Sequence, residues 1–507
     1  MKIYGKFLLL AAFTGAAGMV SAQDSYDIPN ITSSDLNGSA RFVSMGGALG
    51  ALGGDLSVMG TNPAGTAIYK KSDASFTLSG VFTDKGAMGH DASRLSVDQA
   101  GAIFSFDQGN PTSKGLQFVN FGINYQKKRN HLSNSFIDVQ HLNGNLSQTF
   151  QIADLANQCY DTNSWGTLAN LSAPIYNDDG SYKRGGIILE DELGYFGVGA
   201  DDAYHERATY GSTSQVDANV SFNVSDRFFW GATLSFYDIN YNRESFYSEL
   251  GVDGNAYDFT NWYKTTGSGV DFKFGFVCRP IEESPFRIGA TIHTPTYYNL
   301  TDANGAELYL NDEYLAHEDN SDFDYEYRTP WKFGLSAGHT IGRFFAIGAE
   351  WEYQDLTSGR YDPAEGDYTY DSKSYFDSVN RYTDDVLKGQ HTFKIGMEYK
   401  PVDDVAFRIG YNYVTSPFKD DAYRTITSAG PYTETDYTNW KGMNRFSLGV
   451  GFRFNGGYFD VAYQYQTQKG DFYAFDNYDP KNAAYTLRPT SIKSDRSQLM
   501  ATVGFRF

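Results

Sequence analysis

Two cysteines, Cys159 and Cys278, are all that 507 residues hold, so this is no disulfide-dense scaffold. The strand pattern puts Cys159 in an outer loop and Cys278 near the opposite rim. Bridged Cα atoms lie within about 7 Å, so no disulfide is expected. Beyond the first 22 residues no apolar run approaches the roughly 20 residues of a membrane helix, which excludes a helical membrane protein. Basic residues are outnumbered, 41 to 61, and the net charge of −20 argues against nucleic-acid binding. Much of the acid falls in polar connectors (Asp362, Glu365, Asp367, Asp371), as in a solvated rim. The eight histidines are scattered, with neither a close His pair nor a Cys-His cluster for a metal. No serine is paired with a histidine and an orienting third group, so no catalytic residue is assigned and the chain is not read as an enzyme. No cofactor is called for.

What is plentiful is aromatic. Phe, Trp and Tyr make up 16% of the chain, yet mean hydropathy is −0.46. That pairing fits an apolar face toward lipid with a polar lumen and polar loops. Residues 1–22 read as a secretory signal. Lys2 and Lys6 precede the apolar stretch Phe7–Phe13, and Val20-Ser21-Ala22 offers small residues for cleavage before Gln23. No cysteine follows that site, which argues against a lipoprotein anchor.

The stretch Ala40–Ile68 is rich in Gly and Ala and carries one acid and one base. Its composite signal is Met45-Gly46-Gly47-Ala48, then Asp55, then Asn62-Pro63-Ala64-Gly65. No Gly-Lys-Ser/Thr follows, which removes a phosphate loop. Small residues permit close backbone packing, and Asn-Pro starts a turn.

Period-two segments follow. Phe345, Ile347, Ala349, Trp351 and Tyr353 share one face, with Glu350, Glu352 and Gln354 on the other. Phe407, Ile409 and Tyr411 oppose Arg408 and Asn412, while Phe446, Leu448 and Val450 oppose Arg445 and Ser447. A basic residue facing lipid at mid-membrane costs about 2–4 kcal/mol, which fixes the sense of the alternation. About fourteen such segments appear, near 74–83, 97–107, 116–127, 208–224, 227–241, 262–278, 285–297, 322–338, 343–356, 388–400, 405–417, 440–454, 457–468 and 493–507. Short turns are expected after every even strand and long polar loops after every odd one, with both termini inside. The fold class is therefore all-β: a 14-stranded antiparallel transmembrane barrel at residues 73–507, its lumen plugged by residues 23–72. Pro330 cannot donate to a ladder and marks an irregularity in the wall.

These features together resemble the FadL/TodX family of outer-membrane transporters for long-chain fatty acids and other hydrophobic compounds. The resemblance rests on the glycine-rich hatch and on Ile288-Gly289-Ala290-Thr291, Thr329-Pro330-Trp331-Lys332-Phe333-Gly334, Phe407–Tyr411, Arg445–Gly451 and Phe459–Tyr463 in order. It implies a passive channel of the outer membrane, acting as a monomer in contact with outer-membrane lipid. A hydrophobic small molecule would be taken up past the hatch, with release sideways through a gap in the wall. The terminal Val503–Phe507 resembles the signal by which barrel-assembly machinery receives its clients, read through Phe507. On this reading Asn62, Pro63 and Ala64 hold the hatch end. Phe42, Met45, Leu49, Leu52, Val58 and Met59 either line a hydrophobic pocket or only pack the plug.

The longest insertion, about 128–206, carries a short helix with Ile152, Leu155, Ala156 and Cys159 on one face. Its apolar residues Ile187, Ile188, Leu189, Tyr195 and Phe196 form either a capture groove or the small core of a folded loop. Two other readings stay open: a haem receptor using His205 or His317 in outer loops, and a general pore.

Overall fold

The computed structural model describes residues 25–507 apart from 111–113, 143, 159–166, 178, 185, 367, 425–433 and 476–486. The signal and Cys159 lie outside the described residues; Cys278 ends the sixth strand. Fourteen antiparallel strands close on themselves, the first (Asp73–Thr83) pairing with the last (Thr490–Arg506) from Asp73↔Arg506 to Thr83↔Arg496. Closure pairs the two end strands of the sheet, which would otherwise face lipid with unsatisfied backbone groups at a cost of several kcal/mol each.

Alternation is clear in the first strand. Phe76, Leu78 and Phe82 are exposed, while Asp73, Ser75, Thr77 and Ser79 face inward and are buried. In the fifth strand (Phe228–Gly251) Phe228, Trp230, Leu234 and Phe236 form the outward belt, which ends where Asp238 takes the next outward place. The inward charges are paired with each other. Lys394 meets Glu350 and Glu352, each at 2.7 Å, and Arg408 meets Glu398 at 2.6 Å and Asp460 at 2.5 Å.

Short turns follow the even strands, but two of the expected outer loops are strand. The fifth strand runs on to Gly251 and the sixth begins at Ala256. The seventh (Arg287–His293, then Tyr297–Leu310) meets the eighth (Glu313–Arg328, then Lys332–Ile341) through Asn311-Asp312 alone. Above the belt the pattern inverts. Asp238 and Asn240 point out, while Tyr237, Ile239, Tyr241, Tyr263, Tyr298 and Tyr325 point in and pack together. A search for outward apolar residues does not see such strands. The expected irregularity at Pro330 is present: the seventh, eighth and ninth strands break at 294–296, 329–331 and 356–359.

The insertion after the third strand (Leu116–Asn130) first continues along the wall as Ser133–Asp138, then folds into a cap. Its helix Gln148–Asn157 buries Ile152, Leu155 and Ala156 against Leu168, Leu171, Tyr247, Phe259 and Leu308. Ser147 caps that helix, and Glu249 from the fifth strand accepts from the Gln148 amide (3.0 Å) and the Ser147 hydroxyl (2.7 Å).

Two outcomes are expected. Leu234→Arg, in the middle of the lipid belt, should lower barrel stability by about 2–4 kcal/mol in urea refolding. Burial pushes the Glu249 carboxyl from 4.5 up to about 7, although four hydrogen bonds favour its charged form. A carboxyl raised on folding stabilises fully below its unfolded pKa, and that contribution is lost as pH rises through 7. Proteolytic nicking of the cap should therefore increase between pH 6 and pH 8, and Glu249→Gln should flatten that rise.

Candidate functional site: hatch, cavity and wall gap

Local chemistry shapes the hatch. Gly46 and Gly47 (φ +64° and +77°) and Gly53 and Gly54 (φ +60° and +69°) take left-handed turns that L side chains resist. Ser39 caps the helix Ala40–Ser44, and Asp55 caps the 3₁₀ turn Leu56–Gly60. The Ser39 hydroxyl donates to Asp55 at 2.7 Å, joining the two ends of the loop.

The hatch is fastened around the lumen. The Ala40 amide donates to Thr502 (2.8 Å), the Gly50 amide to Glu350 (3.1 Å), and Arg287 donates to the Leu52 carbonyl (2.8 Å). Asn62 accepts from the Ala64 amide at 3.2 Å and, with Pro63, sets the turn Pro63–Ile68. This segment lies against barrel backbone. A Cβ at Gly275 would sit 2.1 Å from Asn62 Oδ1, and one at Gly410 would sit 2.1 Å from the Gly46 nitrogen. The sequence reading missed these wall glycines. Their inward parity opposite a small-residue plug was the available signal.

A cavity of about 720 Å³ lies between the hatch and the barrel wall. Of the six apolar hatch residues, Phe42 lines it. Met45, Leu49, Leu52 and Val58 pack with Ala462 and Met500, and Met59 packs with Leu56, Tyr69 and Ile103. The cavity wall is largely polar and charged, including Arg129, Arg445 and Arg496, with Tyr26, Tyr241 and Trp440 among its aromatics. On the cap, Ile187 and Ile188 are buried in its core and Tyr195 packs against it, whereas Leu189 and Phe196 are exposed on a hairpin.

The histidines offered for haem lie in strands rather than loops. His205 is buried, with its ring 4.9 Å from that of Phe472, and His317 is hydrogen-bonded to Tyr314 in the eighth strand. The letters Gly334-Leu335-Ser336-Ala337-Gly338 fit a nucleophile motif, but they run within the eighth strand without the strand-to-helix turn that motif needs.

One seam of the wall is open. The second strand (Ser93–Asp107) pairs with the third only from Asp107↔Phe118 to Gln99↔Gln126, though it stays paired with the first as far as Ser93. Beyond Gln126 the third strand leans to the fourth, with a register shift between Lys127 and Arg129. Hatch residues back the gap. The Asp35 amide donates to the Lys128 carbonyl (2.8 Å), and Asn37 Nδ2 donates to the Lys127 carbonyl (3.0 Å) and Asp98 (3.1 Å). Asn37 thus spans the two strands where the ladder stops. Asn134 closes the upper side on the Lys85 carbonyl at 2.8 Å.

Gly410→Val should unseat the hatch, because the added carbons meet backbone that has no room to yield. The expected result is a rise of tenfold or more in single-channel conductance in planar bilayers, with barrel mobility on gels unchanged.

No protein-family model matches the chain, and no curated protein matches it. Among solved structures it is similar to a Pseudomonas aeruginosa FadL homologue, with 14% identity over 94% of this chain and 99% of that one, at a TM-score of 0.52. The P. putida toluene transporter TodX is similar at 13% identity over 93% and 99%, with a TM-score of 0.50. The chain has the fold of a FadL/TodX-type outer-membrane barrel, fourteen strands closed around an N-terminal hatch.

Proposed function

We propose that this protein is a passive outer-membrane channel for hydrophobic and amphipathic small molecules, long-chain fatty acids among them, released sideways into the membrane. The observation that carries the reading is the interrupted ladder between the second and third strands. That gap adjoins the cavity and is spanned on the inside by hatch residue Asn37. A ligand entering beneath the cap would settle against Phe42 and the cavity aromatics. Loosening of the Asp35–Asn37 segment would open the seam to lipid. An apolar tail moving from one apolar surface to another needs no energy source, and a sideways exit spares it passage through water. The solved structures of similar fold include one described as a toluene transporter, which agrees with an apolar cargo.

Mass spectrometry of small molecules extracted from the purified, folded protein tests the reading. Enrichment of apolar or amphipathic compounds is expected, reduced at least fivefold in Phe42→Asp. Asn37→Ala should speed transfer of such a compound into lipid vesicles several-fold. An empty protein that conducts ions steadily would replace this reading with a general pore, and a haem absorbance band would replace it with a haem receptor.

A further inference from the structure

The hairpin that joins the first two strands, residues 84–92, does not stop at the seam. It crosses the upper end of the gap and lies against the outside of the wall, above the lipid belt. Its tip is a tight turn. The His90 amide donates to the Ala87 carbonyl at 2.8 Å, and Met88 and Gly89 take left-handed φ (+51° and +76°). Left-handed angles at both central residues mark the two-residue turn whose twist suits a hairpin. A Cβ at Gly86 would lie 2.3 Å from the His90 carbonyl oxygen, so the tip is folded closely on itself.

The tip is seated on the fourth strand (Ala200–Val224) and the fifth. Glu206, Ala208 and Tyr210 point outward there, with Glu244 opposite Ala208. The Met88 amide donates to Glu206, and the His90 ring centre lies 4.4 Å from that of Tyr210. His90 Nε2 is 3.2 Å from one oxygen of Glu244, whose other oxygen accepts from the Tyr210 hydroxyl at 2.7 Å. Ala208, in the middle of this footprint, is fully buried although it points outward, and Ala87 is buried too. Nearer the seam, the Lys85 ammonium lies 5.8 Å from the centre of the Phe136 ring.

The two flanks of the seam belong otherwise to separate parts of the sheet. From Ser93 to Gln99, roughly 20 Å of strand, the second strand is bonded to the first alone, and the first to the last as far as Thr83. The facing flank, the end of the third strand and Ser133–Asp138, is bonded to the fourth. The hairpin joins these flanks from outside, as Asn37 does from inside.

We propose that hairpin 84–92 is a fixed strap that makes the seam a bounded window, and that this frame selects cargo by cross-section. The inference rests on the sideways release read above and adds what limits it. Movement of the hatch clears the window from within but leaves the strap seated, because none of the contacts named here is to the hatch. The flanks are then held at the spacing the strap sets. A slender alkyl chain passes between them, and a broad, rigid molecule is refused.

The test loads the full mature protein, in detergent, with 1-dodecanol or with cholesterol. Transfer of each into lipid vesicles is followed by mass spectrometry and divided by its rate without protein. The native protein should speed dodecanol at least tenfold more than cholesterol. Ala208→Trp, whose indole takes the strap's seat, and Glu244→Ala, which removes the anchor of His90 and Tyr210, should each raise cholesterol transfer at least fivefold. Dodecanol should stay within twofold in both, with barrel mobility on gels unchanged. Joining His90→Cys to Glu244→Cys by a short bismaleimide, with Cys159→Ser and Cys278→Ser, should leave dodecanol within twofold of native. Loss of dodecanol transfer on crosslinking would overturn the fixed frame and make the hairpin a lid that must lift. Unchanged selectivity in Ala208→Trp and Glu244→Ala would overturn the strap and leave sideways release standing. A native protein that speeds neither probe would overturn the uptake reading itself.

Discussion

Backbone hydrogen bonds that lipid cannot supply govern this structure. Every strand in the wall must bond to two neighbours, so the sheet closes and the side chains are left to sort themselves by face. The exception shows the rule at work. Between Gln99 and Ser93 the second strand has a partner on one side only, and what stands opposite is a hatch asparagine offering its side-chain amide. A side chain can move where a ladder cannot. The place where the wall is weakest is therefore the place where a small rearrangement of the hatch has most consequence.

The hatch and the wall fit because each gives up side chains. The plug turns on paired glycines, and the wall answers with glycine where the plug's backbone arrives, as at Gly275 and Gly410. Such contact brings amide dipoles together, and polar fastenings such as Glu350 to the Gly50 amide follow. The apolar residues of the hatch are consumed by this packing. Phe42 is the one of the six expected pocket residues that remains to face the cavity, and the cavity takes its character from the barrel's inward charges instead.

Above the membrane the same strands serve a different purpose. With water outside, their outward positions turn polar and their inward positions turn to tyrosine. The upper barrel thus acquires a core of its own, onto which the cap and the helix Tyr370–Val386 pack.

The sequence by itself determined the number of strands, their sense and the side of each that meets lipid, because period-two alternation and the cost of a charge in lipid are local facts. Strands such as Phe345–Asp355 and Val405–Val414 were legible to within a few residues. So were the hatch turn at Asn62-Pro63 and the break at Pro330, since proline acts on its own backbone. The cap's short helix could be read from Ile152, Leu155 and Ala156, but the burial of Ile187 and Ile188 could not be told from a surface groove. Only the tertiary structure decided which hatch residue faces the cavity, where the ladder stops, and that Asp35 meets two arginines more than 400 positions away. Those outcomes depend on how fourteen strands close in register, and no stretch of sequence carries the position of its distant neighbours.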